Sequence, residues 1–168
     1  GPVFRAYDPE NELLVAVKAF QLDITPEQAH TLAEQLNRIA QIGLSEPGIV
    51  TPLRAGVEDS VAYLVLDYLA MESLDVAMRH YAPAATDRTT TLIAQLAGAI
   101  DCARAVGALH GALHLRDVFV AQDSAQVSGF GVVPALEEIG LRGPVRRPYA
   151  APERVRGGDW GPTADIFS

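Results

Sequence analysis

The chain has 168 residues, 49% of them apolar and 20% charged, with a formal net charge of −8. That length and apolar content suit one packed domain or part of one. The acidic balance argues against general binding to nucleic acid or anionic membranes. No apolar run approaches the ~20 residues of a membrane span and no secretory leader is visible, so a cytoplasmic location is expected. Cys102 is the only cysteine, which excludes an internal disulfide; in a helical pattern it reads as a core thiol.

Gly1-Pro2 reads as the remnant of a cleaved tag. Val3 to Tyr7 reads as a strand, Asp8 to Asn11 as a turn, and Leu13 to Phe20 as a second strand, so a hairpin is expected. It carries Lys18, the only lysine in the chain. Thr25-Pro26-Glu27 is a helix start: a capping hydroxyl, proline in the first turn, then an acid at the positive end of the dipole. Leu32, Leu36, Ile39 and Ile42 follow at helical spacing. Thr51 to Gly56 and Val61 to Tyr68 read as two more strands. Glu72 to His80 predicts a short helix. A longer one follows, capped by Thr86-Asp87, running to about Val106 and closed by Gly107.

His110 to Gly131 then reads as loop, strand, turn and strand, ending in a Gly-Phe-Gly corner. Val118 to Val120 suits a buried strand, and Gln122-Asp123-Ser124 is turn chemistry. Beyond it lie Tyr149-Ala150-Ala151-Pro152-Glu153, a loop around Trp160, and Ala164-Asp165-Ile166-Phe167-Ser168.

Taken in order, Val15-Ala16-Val17-Lys18, His110-Gly111-Ala112-Leu113, Gly129-Phe130-Gly131, Tyr149 to Glu153 and Ala164 to Ser168 resemble the motifs of the protein kinase family, of the bacterial eukaryotic-type Ser/Thr kind. The resemblance implies an α+β fold. Residues 1–69 would form an antiparallel β-sheet lobe with its C helix, through the hinge. Residues 70–168 would form part of a mainly helical lobe, cut before most of its helices, with a Gly-rich loop falling upstream of Val3.

The resemblance also implies roles. Lys18 would grip nucleotide phosphates. Ala16, Leu66, Asp67, Tyr68, Leu69 and Phe119 would line the adenine pocket, with Leu66 as gatekeeper and Asp67 to Leu69 as hinge. The C-helix glutamate falls on Asn37, with Glu34 one turn earlier as a substitute. His110, Phe130 and Leu53 read as core. Asp165 would hold the loop backbone, and Glu153 closes the activation segment. The reacting positions depart from the pattern. The catalytic aspartate falls on Ala112, its preceding arginine on Gly111, the loop lysine on His114, the metal-binding asparagine on Asp117, and the metal-binding aspartate on Gly129. The threonine that contacts the catalytic aspartate falls on Arg146. From Val132 to Ala150 no serine or threonine is present to accept a phosphate.

These departures set up the expectation of a pseudokinase, not an enzyme: no catalytic residue and no firm metal site, Asp117 being a weak metal candidate. ATP or ADP bound without magnesium would be its ligand. A protein would be its partner, with a homodimer through exposed helical-lobe surface as one form. The alternative is a divergent ATP-dependent Ser/Thr kinase, or another phosphotransferase, using Asp117 and His114 with Lys18. A third reading is a spacer whose pocket is filled by bulky side chains.

Overall fold

The computed structural model describes residues 1–81, 83 and 85–168. Val3–Asp8 (β1) and Leu13–Phe20 (β2) pair antiparallel, from Val3 opposite Lys18 to Asp8 opposite Leu13. Pro52–Glu58 (β3) and Val61–Asp67 (β4) complete a four-stranded sheet of order β1-β2-β4-β3. The β3–β4 turn is only Asp59-Ser60, both at positive φ, so β3 runs two residues further than its sequence suggests.

Register decides which face of this sheet carries Lys18. Ala16, Lys18 and Phe20 lie opposite Leu66, Leu64 and Ala62. Paired residues and residues two apart share a face, so these six point the same way. That face receives the helix Pro26–Gln41 (α1), whose Leu32 and Leu36 are fully buried. Thr25 Oγ1 accepts the Gln28 N–H at 3.2 Å, and the Gln28 side chain accepts the Thr25 N–H at 3.0 Å. This reciprocal cap satisfies two backbone donors that the helix itself leaves open.

The second part is helical around a three-stranded sheet. Glu72–Ser73 (β5) pairs with Val118–Val120 (β6), which pairs with Ala125–Val127 (β7). Glu72 and Ser73, read as helical from sequence, are therefore strand, and the helix Leu74–His80 (α2) begins after them. The long helix Thr86–Ala105 (α3) is capped at Ala85, not by the hydroxyl or carboxylate expected there. Its small residues Ala99 and Ala103 are fully buried in a core with Leu44, Ile49, Val118, Val127 and Phe130. The two parts are tied by backbone: Val50 N–H donates to Val127 O at 2.9 Å, and Val127 N–H to Gly48 O at 2.8 Å.

One element has no counterpart in the sequence reading. Directly after Gly131, Val132–Glu138 forms a helix (α4). Pro134 stands in its first turn, where a missing N–H costs nothing. Val132, Ala135 and the following Ile139 are buried against Leu32 and Leu36 of α1. Gln28 of α1 also donates its side-chain amide to Ile139 O at 2.9 Å. Pro152–Arg156 (α5) and Pro162–Phe167 (α6) follow. Among the described residues no helix is long and apolar enough to cross a membrane.

Candidate active site

Lys18 of β2 stands across from the loop that follows His110, near enough for Asp117 and Arg146 to bear on its charge; we call this junction the cleft. Ala16, Leu66 and Leu69 belong to one apolar cluster, against which Phe119 packs from β6 of the second part. Asp67 and Tyr68 lead out of β4; the Asp67 N–H is already used by Thr51 O at 3.0 Å, and Tyr68 is exposed. Lys18 sits deeper. Burial pushes its ammonium below the ordinary lysine value; Asp117 pulls it back up, and Arg146 pushes it down again. Its Nζ lies 5.6 Å from the centroid of the Phe20 ring.

The α1 residues proposed to meet Lys18 do other things. Asn37 Oδ1 accepts the Ala55 N–H of β3 at 3.2 Å, tying the helix to the sheet. Glu34 is exposed. Among the described residues Lys18 has no carboxylate at ion-pair distance. The charges that act on it come from the other side of the cleft.

That side is a braced loop. Asp165 of α6 is buried and accepts the His110 N–H at 2.8 Å and the Gly111 N–H at 2.6 Å. His110 is buried as well, and burial pushes its imidazole down, toward the neutral form; Asp117 and Asp165 oppose the shift. Nδ1 accepts the Ala112 N–H at 3.3 Å, so Nε2 carries the proton and donates it to Ser128 O at 2.9 Å. The ring meets Phe130 edge to face, centroids 5.6 Å apart. Leu53, read as part of this column, is instead exposed. The β3–β4 register slips between Pro52 and Arg54, and the bulge turns Leu53 outward.

Backbone shape explains two substitutions. Gly111 has φ +74°, and a Cβ there would lie 2.4 Å from the Trp160 ring, so the family's arginine has no room. Gly129 has φ +96°, and a Cβ would meet His110 Nε2 at 3.1 Å. An aspartate at 129 would carry backbone strain as well as crowding. Ala112 is buried and its side chain offers no polar atom.

Asp117 is the carboxylate the cleft retains. Its N–H donates to His114 O at 2.8 Å, and its own carbonyl accepts the Ser128 N–H at 2.8 Å, so its position is set by backbone. Arg146 Nη1 donates to Asp117 Oδ2 at 2.6 Å. His110 Nε2 lies 3.9 Å from the same oxygen, beyond a hydrogen bond. No partner of Oδ1 is found among the described residues. His114 faces elsewhere: its ring stands edge-on to Tyr149, centroids 5.0 Å apart. There it borders an apolar groove of about 360 Å³ with Leu96, Ile100, Leu113 and Ile166. The two residues considered together as rescuers of catalysis thus sit in different surroundings.

The activation segment carries a latch that sequence reasoning did not find. Arg154 Nη1 donates to Glu137 Oε1 at 2.6 Å, and Trp160 Nε1 donates to Glu137 Oε2 at 2.8 Å. The Arg154 guanidinium lies 4.6 Å from the Trp160 ring centroid. Burial pushes the Glu137 carboxyl up, but the bonds from Arg154 and Trp160 outweigh it and hold it below the ordinary value. Glu153, beside Arg154, is half-buried and uses its carbonyl to accept the Gly158 N–H at 3.0 Å.

Magnesium needs several oxygen ligands, and kinases anchor it through two side chains. Here Gly129 supplies none, Asp117 is already paired with a guanidinium, and no group of three potential ligands exists among the described residues. The residues present do not fit a divalent metal held in the usual way.

The family model for the protein kinase domain matches residues 1–168. The chain belongs to the protein kinase family. It is 28% identical over 162 residues to a probable serine/threonine-protein kinase PknB of Lactococcus lactis, covering 92% of this chain and 26% of that protein. It is 25% identical over 173 residues to the serine/threonine-protein kinase PknK of Mycobacterium tuberculosis, covering 100% of this chain and 16% of that protein. It therefore spans about a quarter or less of these relatives. The solved PknI kinase domain of M. tuberculosis superposes with a TM-score of 0.70 at 21% identity, covering 97% of this chain and 62% of that one. The expected α+β protein kinase-like fold is thereby established. The expectation that this kinase-family chain is not an enzyme is overturned: its whole length matches the kinase domain, and its relatives are named kinases. The reason lies in how that expectation was built. Subtracting motif side chains shows what is missing at Ala112 and Gly129, but it does not demonstrate lost catalysis.

Proposed function

We propose that this chain is a divergent ATP-dependent phosphotransferase domain of the Ser/Thr protein kinase type, acting on a hydroxyl of a protein substrate. The observation that carries the reading is Asp117, fixed by backbone hydrogen bonds with its Oδ1 without a partner among the described residues, and facing the half-buried Lys18 whose charge it favours. The apolar wall of Ala16, Leu66, Leu69 and Phe119 suits an adenine ring, and the names of the relatives support the reaction class.

Phosphoryl transfer asks little covalent chemistry of a protein. It needs alignment and neutralisation of charge on the transferred group. In this reading Lys18 holds the phosphates. The substrate hydroxyl donates its proton to Asp117 Oδ1, which is free to accept it. The hydroxyl oxygen bonds to the γ-phosphorus, the bond from that phosphorus to its bridging oxygen breaks, and the electron pair leaves with ADP. His110 stays neutral and structural. Because Ala112 accepts no proton, Asp117 takes that role from a different loop position.

The test is ADP release by the full chain with a Ser/Thr-rich acceptor protein, in wild type, Lys18→Ala and Asp117→Asn. Turnover that falls by about a hundredfold or more in both variants is expected, that being the usual size of an acid–base or positioning contribution. Absence of ADP formation by the wild type, or turnover that survives both changes, overturns the reading.

A further inference from the structure

The poor fit of the cleft to a metal has a positive counterpart. Wherever a divalent ion would bridge a carboxylate and phosphates, it would need the oxygens of Asp117. Oδ2 of Asp117 already accepts Arg146 Nη1 at 2.6 Å, and a metal there would face a guanidinium of like charge. Arg146 is not spent by this bond. Its side chain is 35% exposed, and the Asp117 contact is its only side-chain hydrogen bond among the described residues, which leaves Nε and Nη2 as donors. Its position is fixed: the Arg146 carbonyl accepts the Ala150 N–H at 3.0 Å.

Arg146 also lies close enough to Lys18 and to His110 to lower the charge each carries. His110 is held neutral by burial, and Asp165, which bears on it, is buried beneath the loop. The set at Lys18 is therefore Lys18 itself, Arg146 and the Asp117 carboxylate: two cations and one carboxylate. Its net positive charge suits a polyphosphate. A guanidinium presents planar, paired donors that match phosphate oxygens, and it needs no second protein carboxylate to hold it.

We propose that the Arg146 guanidinium is the resident cation of this cleft, so that a nucleoside triphosphate binds to Lys18 and Arg146 without a divalent ion. This rests on the nucleotide-binding reading above and adds the group that takes the metal's place. The role belongs to Arg146 because it pairs with the carboxylate through Nη1 while its side chain stays 35% exposed, with Nε and Nη2 unspent among the described residues.

The experiment is calorimetric binding of ATP and of AMP to the full chain, in excess EDTA and in excess magnesium, for wild type, Arg146→Ala and Arg146→Lys. ATP is expected to bind the wild type with similar affinity in both buffers. Arg146→Ala should weaken ATP binding by about tenfold in EDTA, the size of one charge-assisted hydrogen bond. Arg146→Lys should recover part of that loss. AMP, which lacks the outer phosphates, should bind all three proteins alike, which shows that they are folded. ATP binding that requires magnesium and is indifferent to Arg146→Ala overturns the inference and leaves the proposed function standing. Failure of both nucleotides to bind in either buffer overturns both.

Discussion

Two arginine–carboxylate pairs in this molecule have the same length and opposite characters. Arg146–Asp117 and Arg154–Glu137 are both 2.6 Å. The Arg154 side chain is 5% exposed, lies against Trp160, and shares its carboxylate with the indole N–H. Its Nε and Nη2 are buried without hydrogen-bond partners, so the ring face is what they have in place of water. The Arg146 side chain is seven times as exposed, and Oδ1 of its carboxylate, on the 14%-exposed Asp117, has no partner among the described residues. The first pair is closed on its arginine side, although Glu137 itself is 31% exposed, and it joins α4, α5 and the Trp160 loop. The second is half open on its arginine side, and both of its charges bear on Lys18. Length alone does not distinguish a brace from a site; burial and the unspent hydrogen-bonding capacity do.

The comparison breaks most directly if the two arginines are removed in turn. Arg154→Ala leaves Glu137 with only the Trp160 N–H and opens a gap under the indole ring, and should cost about 2 kcal/mol, below the range for a pair buried on both sides because Glu137 is partly exposed. Arg146→Ala, at a more solvated site, should cost about 1 kcal/mol or less. Urea midpoints at constant m-value measure both. Equal losses would mean that Arg146 is as structural as Arg154.

Comparable in size is the brace beneath the cleft. Asp165→Ala strands the buried N–H groups of His110 and Gly111 and should cost about 2 kcal/mol. Amide exchange at these two positions should rise far more than at Val127 or Ala103. Uniform exchange would show that the loop holds its shape without α6.

A third pair, Arg54–Asp8 at 2.7 Å, pins the β1–β2 turn to β3. Hydrogen bonds from Asn11 and Arg54 lower the Asp8 carboxyl from 3.8 to about 2. A lowered folded value means the stabilisation is complete above 3.8 and is lost as pH falls through about 2. Asp8→Asn should flatten the stability profile in that acid window and leave it unchanged at neutral pH apart from a constant offset. An unchanged acid slope would place the titration elsewhere.

What the sequence made legible follows the length scale of each interaction. The first hairpin, α1 with its Thr25 cap, β4 and the β6–β7 turn were readable because each rests on local spacing or local turn chemistry. The motif series then put Lys18, His110 and Asp165 in one fold. Helix α4 was not readable: Val132-Val133-Pro134 contradicts helix propensity, and the segment is helical because it buries Val132 and Ala135 against α1. Arg146 was noticed only as a threonine that was not there. Its partner is 29 residues away, and a pairing at that distance leaves no trace in periodicity. The Glu137–Arg154–Trp160 latch was hidden for the same reason.

The smallest expected effect is also the sharpest in sign, because Lys18 is the only lysine in the chain and reports on both charges that face it. Asp117 raises its value and Arg146 lowers it. Acylating reagents attack the neutral amine, so labelling tracks the unprotonated fraction. Asp117→Asn removes the raising charge and should speed Lys18 acylation; Arg146→Ala removes the lowering charge and should slow it. Each change should be about two- to threefold, the size of one partly screened charge. Peptide mapping by mass spectrometry, with the rate in denaturant as the reference, measures it. Opposite shifts mean that Lys18 feels an anion and a cation across the cleft. If both variants move the rate the same way, Lys18 is answering to access rather than charge, and the open arginine pair is no nearer to the phosphate site than the closed one.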